Sequence, residues 1–290
     1  MKIGIIGAGT MGQGIAKAFA QCEGYTVMLC DVKQEWAENG KKKIAAGYEK
    51  LIAKGKITKE KVDAIVGAIT PGVKEDLCAD CDLIVEAAFE DMGVKKQTFS
   101  ELDALCKPET IFASNTSSLS ITEIGHGIKH PVIGMHFFNP ADRMKLVEVI
   151  AGANTPAELV ETIKGIATAI NKVPVQVNEA AGFVANRILI PLINEGCYTK
   201  MEGVADIEGI DTAMKLGCNH PMGPLELGDF IGLDICLAIM EVLYKEFGDS
   251  KYRPCPLLRK MVRGGNLGCK TGRGFYVYNA DGTKTPVDKL

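Results

Sequence analysis

Along the first part of the chain, short apolar runs alternate with stretches whose apolar residues recur every three to four positions. Ile3 to Ile6, Tyr25 to Val32, Asp82 to Phe89, Thr110 to Thr116, Pro131 to Phe138, Lys145 to Gly152 and the segment "VPVQVN" read as strands. Several of these runs are short and β-branched, as strands covered on both faces of a sheet require. Between them lie helical patterns. Ile15, Ala16 and Phe19 share one face after Gly12, and Ile44, Tyr48, Leu51 and Ile52 keep helical spacing within residues 34–55. Thr58 to Ile69, Val94 to Cys106 and Pro156 to Asn171 read as further helices. Strand followed by helix, repeated, predicts an α/β domain with a Rossmann-type, doubly wound parallel sheet and an added edge. The segment between Ser117 and His136 reads as surface helix and loop.

Near Asn178 the pattern changes. "EAAGFVANRILIPLINEGCYTKMEGV" is helical, with Pro191 as a kink, and Asp206 is placed to cap a helix running to Gly217. Leu225 to Phe247 reads as one long, apolar helical stretch, and strand signal returns only in "GFYVY". The expected organisation is a doubly wound domain over residues 1–182 and a smaller all-helical domain over 183–290, with a linker at 179–183. The apolar load of Leu225 to Leu243 exceeds what so small a domain needs for its own core. It predicts a homodimer or higher homo-oligomer through the helical domain.

Composition narrows the class. With 290 residues, 47% apolar and 24% charged, the chain has enough core for two globular domains, and a net charge of -3 without a basic block argues against nucleic acid. No apolar run reaches the roughly 18–20 residues that span a bilayer. "MKIGIIGAG" enters a glycine turn without a signal-type apolar region, so the expected location is cytoplasmic, away from membranes. Ten scattered cysteines then read as reduced thiols. Cys78 and Cys81 form a C-x-x-C with neither a second ligand pair nor a thioredoxin-like setting, so no metal site is expected.

Two clusters carry chemistry. Gly7, Gly9 and Gly12 form G-x-G-x-x-G between a strand and a helix, and Asp31 ends the next strand. Gly7 allows the tight turn, Gly9 lets the backbone approach a pyrophosphate, and Gly12 lets helix and strand pack closely. The helix N-terminus presents N–H groups to the phosphates. Asp31 accepts from ribose hydroxyls and repels a 2′-phosphate, so NAD is expected rather than NADP. The second cluster is His136, at the end of an apolar strand, with Glu148 as the one charge in "KLVEVI". A buried carboxylate needs a partner. Two adjacent strands would bring it to a ring nitrogen, the arrangement of a proton-transfer histidine with an orienting acid.

"GAGTMGQGIA", "SNTSSLSITEI", "HFFNP", "KLVEVI", "GFVANRIL", "GIDTAMKLG", "PMGPLEL" and "KTGRGFY" together resemble the 3-hydroxyacyl-CoA dehydrogenase family, in its order and over nearly the whole chain. The short length is most similar to the bacterial 3-hydroxybutyryl-CoA branch. The resemblance implies an NAD-dependent oxidoreductase acting on the 3-hydroxyl of a short acyl-CoA. It implies His136 as base, Glu148 as its partner, Asn186 as holder of the reacting oxygen, and Ser117 near nicotinamide and substrate. It also implies cofactor contacts at Glu90, Lys95, Asn115 and Lys270, and a CoA-phosphate contact at Lys56. Ser117 also suits a helix N-cap. A sugar-acid dehydrogenase of gulonate type and a non-catalytic, crystallin-like nucleotide binder remain as alternatives.

Overall fold

The computed structural model describes residues 1–289 and divides into two compact units, Met1–Phe183 and Val184–Leu290. In the first, β1 (Lys2–Ile6) leads through a glycine turn into α1 (Thr10–Ala20), then β2 (Thr26–Cys30), α2 (Gln34–Ile52), α3 (Lys59–Gly67), β3 (Ile69–Gly72), α4 (Lys74–Leu77) and β4 (Leu83–Glu86). There follow α5 (Met92–Leu105), β5 (Ile111–Ser114), α6 (Ile121–Ile124), β6 (Val132–Phe137), β7 (Leu146–Ala151), α7 (Ala157–Ala169) and β8 (Val173–Asn178). The eight strands form one sheet in the order β3-β2-β1-β4-β5-β6-β7-β8. All neighbours are parallel except β6 and β7. Helices cover both faces, so β1 and β4 to β6 are buried nearly throughout, and the sheet's two sides seed two apolar clusters.

The chain steps outward from β1 to β3, then restarts on β1's other side with β4. The carboxyl ends of β1 and β4 therefore bound the crevice where doubly wound sheets take ligands. β3 carries no strand pattern: "ITPG" has a proline and a glycine. It survives because it is the edge strand, paired only to β2, where Pro71 needs no N–H on its outer side. The segment after Ser117 is shorter in helix and deeper than a surface reading implies, since Ile121 and Ile124 are buried.

In the second unit, α8 (Ala185–Met201) contains Pro191, and α9 (Ile207–Gly217) is capped by Asp206, whose Oδ1 accepts from the Gly209 N–H at 2.7 Å. The stretch expected as one helix is two, α10 (Pro224–Ile231) and α11 (Leu233–Phe247). Gly232 between them has φ 108, a backbone state that side chains resist. Most of the apolar load of that stretch is buried; Phe230, Ile235, Tyr244 and Phe247 are its exposed large side chains. After α12 (Pro256–Arg263) the unit closes with a hairpin, β9 (Tyr276–Tyr278) and β10 (Lys284–Pro286). Buried Asp229 holds the hairpin start, accepting from the Phe275 and Tyr276 N–H groups at 2.9 Å each and from the Tyr278 hydroxyl at 3.1 Å. Burial nevertheless pushes its carboxyl up to about 6.

Candidate active site

The glycine turn after β1 has the geometry a dinucleotide needs. Gly7 adopts φ +104, and a Cβ there would meet the Ala87 carbonyl oxygen at 2.6 Å. A Cβ on Gly12 would lie 1.7 Å from the Gly7 oxygen, so only glycine lets α1 start against β1. A Cβ on Gly9 meets nothing within 4 Å, which leaves open approach to the first turn of α1, and no side chain caps that turn. These features fit a pyrophosphate on the helix N-terminus. Asp31 follows β2, its Oδ2 accepting from the Ala8 N–H at 2.7 Å. The carboxylate is thus fixed beside the turn, half-buried, with further lone pairs for ribose hydroxyls.

At the carboxyl end of β6, His136 and Glu148 are direct cross-strand partners in the antiparallel β6–β7 ladder. Partners in that register share a sheet face. His136 is 4% exposed and Glu148 1%, and Nδ1 lies 2.8 Å from Oε2. With Nδ1 committed to the carboxylate, Nε2 is the ring nitrogen that can exchange a proton. Phe138 and Phe183 flank the ring at centroid distances of 4.6 and 5.7 Å. The loop after β6 is pinned by buried Lys172, whose Nζ donates to the Ala141 and Met144 carbonyls at 2.6 and 2.8 Å. His130 makes a superficially similar pair with Asp103 at 2.6 Å, but its Nε2 faces the Lys107 carbonyl at 3.0 Å and its ring stacks on Phe112. Both of its nitrogens serve the fold.

Between the glycine turn and His136, the ends of β4 and β5 carry a buried polar network. Lys95, 1% exposed, donates to both oxygens of Glu86, at 2.8 and 3.0 Å, and lies 3.2 Å from Glu90 Oε2. Glu86, wholly buried, also accepts from the Ser114 hydroxyl at 2.6 Å and the Ala88 N–H at 2.7 Å. Glu90 Oε1 accepts from the Thr116 hydroxyl at 2.6 Å and from the N–H groups of Ser117 and Ser118 at 2.8 and 3.2 Å. Asn115 Oδ1 accepts from the Phe137 N–H at 2.8 Å, tying β5 to the residue beside His136. One ammonium thus bridges two carboxylates, and the second of them holds the Ser117 loop.

The first unit therefore brings together Gly7, Gly9, Gly12, Asp31, Glu90, Lys95, Asn115, Ser117, His136 and Glu148 along the carboxyl edge of its parallel strands. Lys56 lies apart, exposed just past α2. Asn186 and Lys270 belong to the second unit. Asn186 is half-buried in the first turn of α8, and Lys270 Nζ pairs with Asp234 at 2.6 Å. Glu86 escaped the sequence reading, although its signal was available: it is the only charge within the strand "LIVE", the same anomaly that exposed Glu148. Among the described residues no group of three or more His, Cys, Asp or Glu side chains is arranged to hold a metal ion, and all ten cysteines are free. No described helix is long and apolar enough to cross a membrane.

Residues 2–180 match the family model of the 3-hydroxyacyl-CoA dehydrogenase NAD binding domain, and residues 182–278 that of its C-terminal domain. The chain is 53% identical to a 3-hydroxybutyryl-CoA dehydrogenase of Clostridioides difficile, over 96% of this chain and 100% of that one. It is 50% identical to a probable 3-hydroxybutyryl-CoA dehydrogenase of Bacillus subtilis, over 96% and 97%. Among solved structures, (S)-3-hydroxybutyryl-CoA dehydrogenase from Ralstonia eutropha superposes with a TM-score of 0.89 at 44% identity, covering 96% of this chain and 99% of that one. Two contiguous domain matches and near full-length identity, on a sheet whose carboxyl edge carries the expected residues, place this chain in the 3-hydroxyacyl-CoA dehydrogenase family.

Proposed function

We propose that the protein interconverts 3-hydroxybutyryl-CoA and acetoacetyl-CoA with NAD(H), in the cytoplasm. The observation that carries the chemistry is the buried His136–Glu148 pair, in register across two strands on the sheet edge that also bears the dinucleotide turn. Held by the glycine turn and Asp31, a nicotinamide dinucleotide would supply the hydride acceptor or donor for C3. In the oxidising direction Nε2 of His136 takes the 3-hydroxyl proton, and in the reducing direction the protonated ring gives it back. Glu148 fixes the tautomer through Nδ1 and stabilises the imidazolium. Ser117 polarises the reacting oxygen from the loop held by Glu90. Asn186 does so as well, a role carried by the motif "GFVANR" alone.

Gly7, Gly9 and Gly12 seat the pyrophosphate, and Asp31 takes the ribose, which favours NAD over NADP. Glu90, Asn115 and, through Glu90, Lys95 border the nicotinamide half. Lys270 adds to the cofactor site and Lys56 to the CoA phosphates, both by motif. A homodimer or higher homo-oligomer forms through the helical unit, with exposed Ile188, Leu216 and Phe230 as its apolar contribution. A sugar-acid substrate or a non-catalytic nucleotide-binding role is not favoured, since the full-length relatives carry 3-hydroxybutyryl-CoA dehydrogenase names.

The test is the rate of NADH absorbance loss with acetoacetyl-CoA, with NADPH and with an oxidised sugar acid as comparators. A higher kcat/KM with NADH and acetoacetyl-CoA is expected. A preference for NADPH would defeat the argument from Asp31, and faster turnover of the sugar acid would defeat the acyl-CoA assignment.

A further inference from the structure

The mechanism above uses Glu90 and Ser117 but leaves Glu86 without a task. A wholly buried carboxylate is costly unless its charge is paired and its oxygens are bonded. Glu86 is paired with Lys95 and bonded to the Ser114 hydroxyl and the Ala88 N–H. It stands on the last residue of β4, in register with Ile6 on β1 and Ser114 on β5, at the reversal point of the sheet. An apolar residue would serve a sheet core better there. The acid's neighbours explain its presence.

Two routes lead from Glu86 to Ser117. In the first, Glu86 holds the Lys95 ammonium, Lys95 holds Glu90 Oε2, and Glu90 Oε1 accepts from the Ser117 and Ser118 N–H groups. In the second, the Ser114 hydroxyl donates a hydrogen bond to Glu86 and accepts one from the Thr116 N–H at 3.2 Å. Every member of both routes except Glu90 and Ser117 is buried, so little water can substitute for a lost bond.

We infer that Glu86 is a positioning residue for this reaction: with Lys95 it sets where Glu90, and through it the Ser117 loop, stands. This rests on the proposed role of Ser117. Lys95 is then the bridge between two carboxylates. Removing the charge of Glu86 leaves Lys95 to Glu90 alone, which draws that carboxylate off the loop N–H groups.

The experiment is a cycle of Glu86→Gln, Glu90→Gln and the double variant. It reads kcat/KM for acetoacetyl-CoA, the Kd for NADH by cofactor fluorescence, and hydrogen exchange across residues 116–119. Misplacing a catalytic group by a fraction of an ångström to one ångström costs up to about 100-fold. Glu86→Gln should therefore lower kcat/KM about 10- to 100-fold, leave NADH Kd within about threefold, and speed exchange across 116–119. In the Glu90→Gln background, Glu86→Gln should add little, because both act on one loop. Losses that multiply, unchanged kcat/KM and exchange, or a loss matched by weaker NADH binding would overturn the inference. Should Glu86→Gln fail to fold, Glu86→Gln with Lys95→Met leaves no unpaired ion from the pair. It should show the same loss, and wild-type turnover in it overturns the idea. A wild type inert toward acetoacetyl-CoA defeats the substrate assignment, and exchange across 116–119 then decides the positioning role by itself.

Discussion

Replacing Glu148 with Gln isolates the charge of the His136 partner. The amide oxygen still reaches the Nδ1–H at the same distance, so ring orientation is kept and only the anion is lost. The pair is 2.8 Å apart and both residues are nearly sealed from solvent, so water screens the interaction weakly. A hydrogen bond that involves a charge is worth about 1.5–3 kcal/mol, against about 1 kcal/mol for a neutral one. The variant therefore gives up about 0.5–2 kcal/mol at the ring when it carries the proton. In the proposed oxidation the ring gains that charge as it takes the 3-hydroxyl proton, so kcat in that direction should fall about 2- to 30-fold, at about 1.4 kcal/mol per tenfold. The assay is kcat for oxidation of 3-hydroxybutyryl-CoA at saturating cofactor. An unchanged kcat would refute the orienting-acid account and leave Glu148 a structural residue.

Other outcomes follow from single sites. His136→Gln should lower kcat by about 10²–10⁴-fold, while fluorescence titration still shows NADH binding. Gly12→Ala places a Cβ 1.7 Å from the Gly7 oxygen, so α1 must move, and NADH binding should be lost together with several degrees of Tm. Asp229 is raised from 3.8 to about 6, so its neutral form is the one the fold favours, and its contribution is present at acid pH and lost as pH rises through about 6. The stability gap between wild type and Asp229→Asn should narrow by up to about 3 kcal/mol between pH 4 and pH 7 in denaturant melts, and a constant gap would contradict it. Light scattering should give at least a dimer; a monomer at assay concentration would contradict the helical-unit interface.

The alternation of short β-branched runs with amphipathic stretches was enough to read a doubly wound sheet followed by a helical part. Burial on both faces makes such strands continuously apolar, and that signal is local. G-x-G-x-x-G and the strand-end Asp31 were legible for the same reason, since the turn, the close approach and the helix start lie within a few consecutive residues. His136 and Glu148 were singled out because each is a polar residue where an apolar one is expected. What the sequence lacked was register. Only the β6–β7 ladder makes them direct partners, because antiparallel pairing between segments so close in sequence could slip by a residue and send one side chain to the opposite face. β3 and the break at Gly232 also stayed hidden: an edge position excuses a proline, and a single positive φ divides a pattern that continues through it. The network of Glu86, Lys95, Glu90 and the Ser117 loop is the clearest product of tertiary structure. Its members come from β4, the loop that follows it, α5 and the loop after β5, and charge pairing in a dry interior depends on distances that no spacing along the chain encodes.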